Sequence, residues 1–246
     1  MTDIRQKMLM SVVITTYNRS EVLKQNLDEF KKQTDKNFEV IVAIDGSTDD
    51  TINMLEDYEC DFPLRWIDTG ETNKYCLSKA RNMGIVASQG KAVIILDDDS
   101  FPVPEFISEH RRTVTSKVLT GGYRNSHDPN DLLHAKMVKI NDLYGDCNPG
   151  PFRTLIVENN CCMFRSYWVG CGMFNERLEG YGGTGQEFIH RIIYQGYGYQ
   201  FNSKAMIYHH REYEGNNGLT RNIKNKQAMK NVEKLMEILG RFQGKL

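Results

Sequence analysis

Three short, nearly continuous apolar runs constrain this chain most: residues 10–15 (MSVVIT), 38–44 (FEVIVAI) and 92–96 (AVIIL). A run that is apolar at almost every position, rather than every second one, reads as a strand covered on both faces. Helical spacing fills the intervals. Residues 18–33 place Leu23, Leu27 and Phe30 on one face, with Asn18 and Glu21 spaced for a capping box. Residues 48–58 predict a short helix with Ile52 and Leu55 inward, 64–67 a further strand, and 76–87 a helix. The alternation predicts an α/β fold with a mainly parallel central sheet flanked by helices. In such sheets ligands gather beyond the carboxyl ends of the strands. The polar groups at those ends are Thr15, Thr16, Tyr17 and Asn18; Asp45, Gly46 and Ser47; and Asp97, Asp98 and Asp99.

The second half is less regular. Residues 124–131 and 145–151 are turn-rich, with a helix expected between them at 132–144. Residues 161–164 predict a strand, 186–195 a helix entered through Gly182, Gly183, Thr184 and Gly185, and 199–208 a strand ending at His209 and His210. From residue 221 the chain reads as an amphipathic helix carrying seven Lys/Arg and two Glu. A length of 246 residues suits one large α/β domain, and a net charge of −1 excludes a strong global pull toward nucleic acid or membrane. The six cysteines form no CxxC pair, which argues against a zinc site and for reduced thiols. The first residues lack the order of a signal peptide, and no apolar run is long enough to span a membrane, so residence inside a cell is the expectation.

The aspartate triplet is the sharpest local feature. Three carboxylates directly after a buried strand repel one another, and a divalent cation would compensate while leaving positions open for phosphate oxygens. The plainer reading is a solvated turn before Pro104. Asp45 either hydrogen-bonds a nucleoside or sits in a turn capped by Ser47 or Asp49. Tyr17 either packs on a base or closes the edge of the core. Arg81 either grips phosphate or lies on a solvated helix face.

The order of these pieces resembles the inverting glycosyltransferase family 2, which has the GT-A fold, a Rossmann-like nucleotide-diphospho-sugar transferase fold. The matching stretches are SVVITTYNR (11–19), FEVIVAIDGSTDDT (38–51), SKARNMGI (78–85) and VIILDDDS (93–100), and together the resemblance covers about residues 9–210. ENNCCMFRSYWVGCGMFNERLEGYGG (158–183) is similar to the acceptor-side module of galactosyltransferase-like and chondroitin-polymerase-like enzymes. The resemblance implies one domain over residues 1–220, with a nucleotide-sugar half at 9–100 and an acceptor half at 101–220, followed by the basic helix at 221–246.

It also implies roles. Thr15, Tyr17, Asp45, Arg81, Asp97 and Asp98 would bind the nucleotide-sugar. Asp99 and His209 would hold a divalent cation, Mn²⁺ or Mg²⁺, with His210 as the rival histidine. Asn160, Tyr181 and Gly183 would line the acceptor site. The implied partners are a nucleotide-diphosphate sugar donor, a UDP-sugar at the level of the family, and a glycan or glycolipid acceptor, with no nucleic acid. The location implied is cytoplasmic, with the basic helix as a route to peripheral contact at the inner face of a membrane.

Two departures stand out. Ile44 replaces one of the two acidic residues that many relatives carry at the DGS turn. Gly185 stands where the catalytic base is usual, which leaves Glu187 as the expected base and Glu179 as an alternative. A binding module without turnover is therefore a second reading. A sugar nucleotidyltransferase ranks last, because residues 14–19 (ITTYNR) contain no glycine for a phosphate loop.

Overall fold

The computed structural model describes residues 7–126, 158–178 and 182–209, together with 230, 231 and 234. Its first hundred residues follow the expected alternation: β1 (Met10–Thr16), α1 (Ser20–Lys31), β2 (Phe38–Ile44), α2 (Thr51–Glu56), β3 (Leu64–Asp68), α3 (Leu77–Ala87) and β4 (Ala92–Asp97). Beyond them come β5 (Ser100–Pro102), α4 (Phe106–Thr113), β6 (Val118–Ser126), β7 (Asn160–Phe164), α5 (Arg165–Gly170), α6 (Thr184–Tyr194) and β8 (Gly198–His209). The strands form one sheet in the order β3-β2-β1-β4-β7-β6-β8-β5.

The first four strands are all mutually parallel. The remainder is mixed: β7 runs antiparallel to β4 and β6, β5 antiparallel to β8, and β6 parallel to β8. The expectation of a mainly parallel sheet thus describes the first half, and the second half is where it gives way.

Why the early strands are apolar throughout is visible in the two cores. On β1, Met10, Val12 and Ile14 face one layer with Leu23, Leu27 and Phe30 of α1, while Val13 faces the other with Ala80 and Ile85 of α3. A strand buried on both sides has no face left for polar residues. The second core continues under the later half, where Trp168 stacks on Phe188 with ring centroids 4.9 Å apart and donates its indole N–H to the Val93 carbonyl at 3.0 Å.

Three local expectations are corrected. Asn18 forms no capping box with Glu21; it adopts φ +51, and its side-chain Oδ1 accepts the Thr48 and Asp49 N–H groups. Asp49 in return accepts the Ser20 N–H at the start of α1 with one oxygen and the Thr51 N–H of its own turn with the other, so the two strand-end loops are tied together. Ile52 is exposed, because α2 is too short to bury more than Thr51 and Leu55. Arg124–Ser126, expected in a loop, end β6, where the ladder to β8 satisfies their backbone. The helix expected at 132–144, the loop at 145–151 and most of the 221–246 tail lie outside the described residues.

Candidate functional site

Register decides which side chains meet. Thr15 pairs with Asp97 across β1 and β4, and Thr16 pairs with Ile44 across β1 and β2. The ends of three strands are therefore level, and Asp45 follows directly.

The three aspartates are separated by their partners. Asp97 accepts the Thr15 hydroxyl at 2.9 Å and Arg81 Nη2 at 2.8 Å. Asp98 accepts the Thr16 hydroxyl at 2.7 Å, and Arg19 Nη1 bridges Asp98 and Asp99 at 2.9 Å each. The chain itself supplies cations to the triplet, from Arg19 and Arg81. Burial pushes the Asp98 carboxyl above the usual carboxylate range; Arg19 pulls against this, and Asp99 adds to it. Arg19 stays charged: burial alone would weaken its hold on the proton, but Asp98 and Asp99 outweigh it.

Arg81 is 1% exposed. One arm holds Asp97, and the ring of Phe174 lies 5.1 Å from its guanidinium carbon. Its Nε and Nη1 have no hydrogen-bond partner among the described residues. Unmatched N–H groups on a buried guanidinium are costly, and phosphate oxygens would match them. Tyr17 is half-buried beside this edge. Asp45 is buried, with both oxygens within 3.1 Å of the Cys76 N–H ahead of α3. Burial pushes it up to about 6, against the Cys76 N–H. This places Asp45 as a tie between β2 and α3.

His209 pairs with Ser100 across β8 and β5, which brings its Nε2 to 3.6 Å from Asp99 Oδ1. A carboxylate oxygen and an imidazole nitrogen suit Mn²⁺ or Mg²⁺, with diphosphate oxygens completing the shell. Among the described residues no group of three or more His, Cys, Asp or Glu gathers into a metal cage. Arg124 Nη2 lies 2.9 Å from His209 Nδ1. A guanidinium only donates, so Nδ1 accepts and the ring proton of the neutral imidazole sits on Nε2. The pair fits a divalent ion, on the condition that Arg124 releases Nδ1 and Arg19 yields part of Asp99.

The acceptor-side residues fare differently. Asn160 is fully buried; its amide donates to the Tyr123 and Ala205 carbonyls and its oxygen meets His110 Nε2 at 2.9 Å. Burial depresses that histidine to about 4, so it is neutral at pH 7. Asn160 therefore ties β7 to its neighbours. Gly183 takes φ +86 as the residue before α6, a conformation glycine adopts without strain. Tyr181, Glu179 and His210 lie outside the described residues. Glu187 is buried, and Arg191 holds both its oxygens at 2.7 and 3.3 Å. The same guanidinium donates to the Cys171 and Met173 carbonyls, so Glu187 anchors α6 to the α5 turn.

Sequence reasoning did not assign Thr16, Arg19, Arg124 or Glu158. Arg19 and Thr16 lie within the first matching stretch, but partners about 80 residues away give no local signal.

The sequence model of glycosyl transferase family 2 matches residues 11–146, more than half of the chain. The chain belongs to glycosyl transferase family 2. Chondroitin synthase of Escherichia coli is 26% identical over 238 residues, covering 81% of this chain and 34% of the relative. Validoxylamine A glucosyltransferase of Streptomyces hygroscopicus subsp. jinggangensis is 31% identical over 136 residues, covering 52% of this chain and 32% of the relative. The chain thus spans about a third of the length of each. Among solved structures, Staphylococcus aureus TarS 1-349 superposes with a TM-score of 0.65 at 19% identity, covering 94% of this chain and 72% of that one. GalNAc-T7 bound to UDP, GalNAc and Mn²⁺ gives 0.68 at 14% identity, covering 94% and 48%. These likenesses show the GT-A fold. No helix among the described residues is long and apolar enough to cross a membrane.

Proposed function

We propose that this family 2 chain is a metal-dependent, inverting glycosyltransferase. It moves a hexosyl or N-acetylhexosaminyl group from a nucleoside diphosphate donor, a UDP-sugar, to a hydroxyl of a glycan or glycolipid. The observation that carries the reading is Arg81: buried, bound to Asp97 by one arm, with Nε and Nη1 lacking hydrogen-bond partners among the described residues at the ligand edge of the sheet. A diphosphate would match those N–H groups.

Around it, Thr15 and Arg81 orient Asp97 toward the donor, and Tyr17 offers a ring for the base. Asp99 and His209 would hold the ion, which when bound neutralises charge on the departing diphosphate. Arg19 carries compensating charge for Asp98 and Asp99 before the ion enters, so the carboxylates stay in place. Support for donor and ion comes from solved relatives of the same fold: TarS 1-349 in complex with UDP-GlcNAc, and a Pyrobaculum calidifontis mannosyltransferase in complex with GDP-Man and Mn²⁺. Peripheral membrane contact through the basic tail belongs to the same proposal, tested by vesicle sedimentation with and without residues 221–246.

Gly185 favours one rival reading, a binding module without turnover. Thermal unfolding with UDP or GDP, in Mn²⁺ or in chelator, separates the possibilities when followed by product assays. A metal-dependent rise in the unfolding midpoint together with transfer supports the proposal. A rise without transfer to any glycan acceptor favours the rival. No response to either nucleotide ends both.

A further inference from the structure

Glu158 was not singled out by the sequence, yet it lies at the ligand edge. It sits two residues before Asn160, and Asn160 pairs with Leu96, so the chain around Glu158 runs beside the aspartate triplet. Its carboxylate is partly exposed, and Arg81 Nη1 lies 3.9 Å from Oε1. The same Arg81 holds Asp97. On its other side the carboxylate abuts the first turn of α6: a Cβ built on Gly185 would overlap both the carboxyl carbon and the oxygens of Glu158. Glycine at 185 is therefore what leaves room for Glu158. Two further facts point the same way. Glu187 is locked by Arg191, whereas among the described residues the one ion pair of Glu158 is the long contact to Arg81. The positive end of α6 also favours a carboxylate in this place.

We propose that Glu158 is the general base, filling from the turn that leads into β7 the space that an acidic side chain at 185 would otherwise fill from α6. This rests on the glycosyl-transfer reading above. The acceptor O–H proton passes to the Glu158 carboxylate as the acceptor oxygen forms its bond to the anomeric carbon. The bond from that carbon to the diphosphate oxygen breaks, and its electrons leave with the nucleoside diphosphate. Glu158 then returns the proton to solvent.

The test uses the full chain with Mn²⁺ and a donor panel of UDP-glucose, UDP-galactose, UDP-GlcNAc, UDP-GalNAc and GDP-mannose, following nucleotide release with the methyl glycosides of glucose, galactose, GlcNAc and GalNAc, and with water, as acceptors. Glu158→Gln keeps size and fold, and is expected to lower kcat by about 10²–10⁴-fold with the donor KM within about twofold. Glu158→Ala is expected to lose as much, and Glu158→Ala combined with Gly185→Asp to recover at least about tenfold, because the new carboxylate enters the vacated space. A Glu158→Gln enzyme with kcat within about threefold of wild type overturns the assignment. So does a loss expressed mainly in donor KM, which marks a support for Arg81. So does a failed swap when Glu187→Gln abolishes turnover. A wild-type chain that releases nucleotide from no donor sinks the transfer reading itself, and Glu158 with it; turnover by wild type and Glu158→Gln alike sinks Glu158 alone.

Discussion

The two edges of the parallel half-sheet both carry a buried acid, and they treat it in opposite ways. At the amino edge Glu39 is fully matched: it accepts the Ser11 hydroxyl at 2.6 Å, the N–H groups of Gln89 and Gly90 at 2.6 and 3.2 Å, and Arg65 Nη2 at 2.7 Å. Burial would raise its pKa, but those donors hold it below the usual range. At the carboxyl edge burial wins at Asp45 and Asp98, and two nitrogens of Arg81 lack a hydrogen-bond partner among the described residues. A complete network is structural, because nothing remains for a ligand to add. An incomplete one stores its gain for the molecule that completes it.

Substitutions can break that contrast. The largest effect belongs to Asp99→Ala, which removes a carboxylate from the incomplete edge. Metal-dependent transfer is expected to fall roughly 10³-fold, with little change in the urea midpoint; near-normal turnover in chelator would remove the ion from the mechanism. Glu39→Gln attacks the complete edge. It is expected to cost about 2–3 kcal/mol of unfolding free energy in urea, the range for hydrogen bonds to a buried charge, while donor affinity of the folded protein stays unchanged.

The smallest effect sharpens the contrast through pH. Asp45 binds its proton more tightly folded than unfolded, up to about 6 from an ordinary 3.8. Its stabilising contribution is complete below about pH 4 and is lost as pH rises through about 6. The stability difference between wild type and Asp45→Asn should therefore shift against wild type across pH 4 to 6. A flat difference in urea unfolding at pH 4, 5, 6 and 7 would show that Asp45 is ordinary.

How far the sequence reached depends on the range of the interaction. The strands and helices of the first hundred residues were legible because burial on both faces leaves a local imprint in β1, β2 and β4. The ligand edge was legible for the same reason, since a run of aspartates directly after a buried strand has one place to go. Asn18 was misread because its side chain caps a neighbouring loop that local spacing cannot see. Asn160 and Glu187 are expected at the acceptor and base positions, and local spacing does not show their folded partners: the Tyr123 and Ala205 carbonyls and His110 for Asn160, and Arg191 for Glu187.

The amino-acid order alone determined an α/β sheet with its aspartate triplet at the ligand edge, since periodicity and burial act over a few residues. Tertiary structure alone decided which cation meets which acid. Arg19 reaches Asp98 and Asp99, Arg81 lies between Asp97 and Glu158, and Gly185 makes room for that glutamate, because the strand order sets β1, β4 and β7 side by side. Coulomb and steric forces act through space, and only the folded sheet fixes those distances.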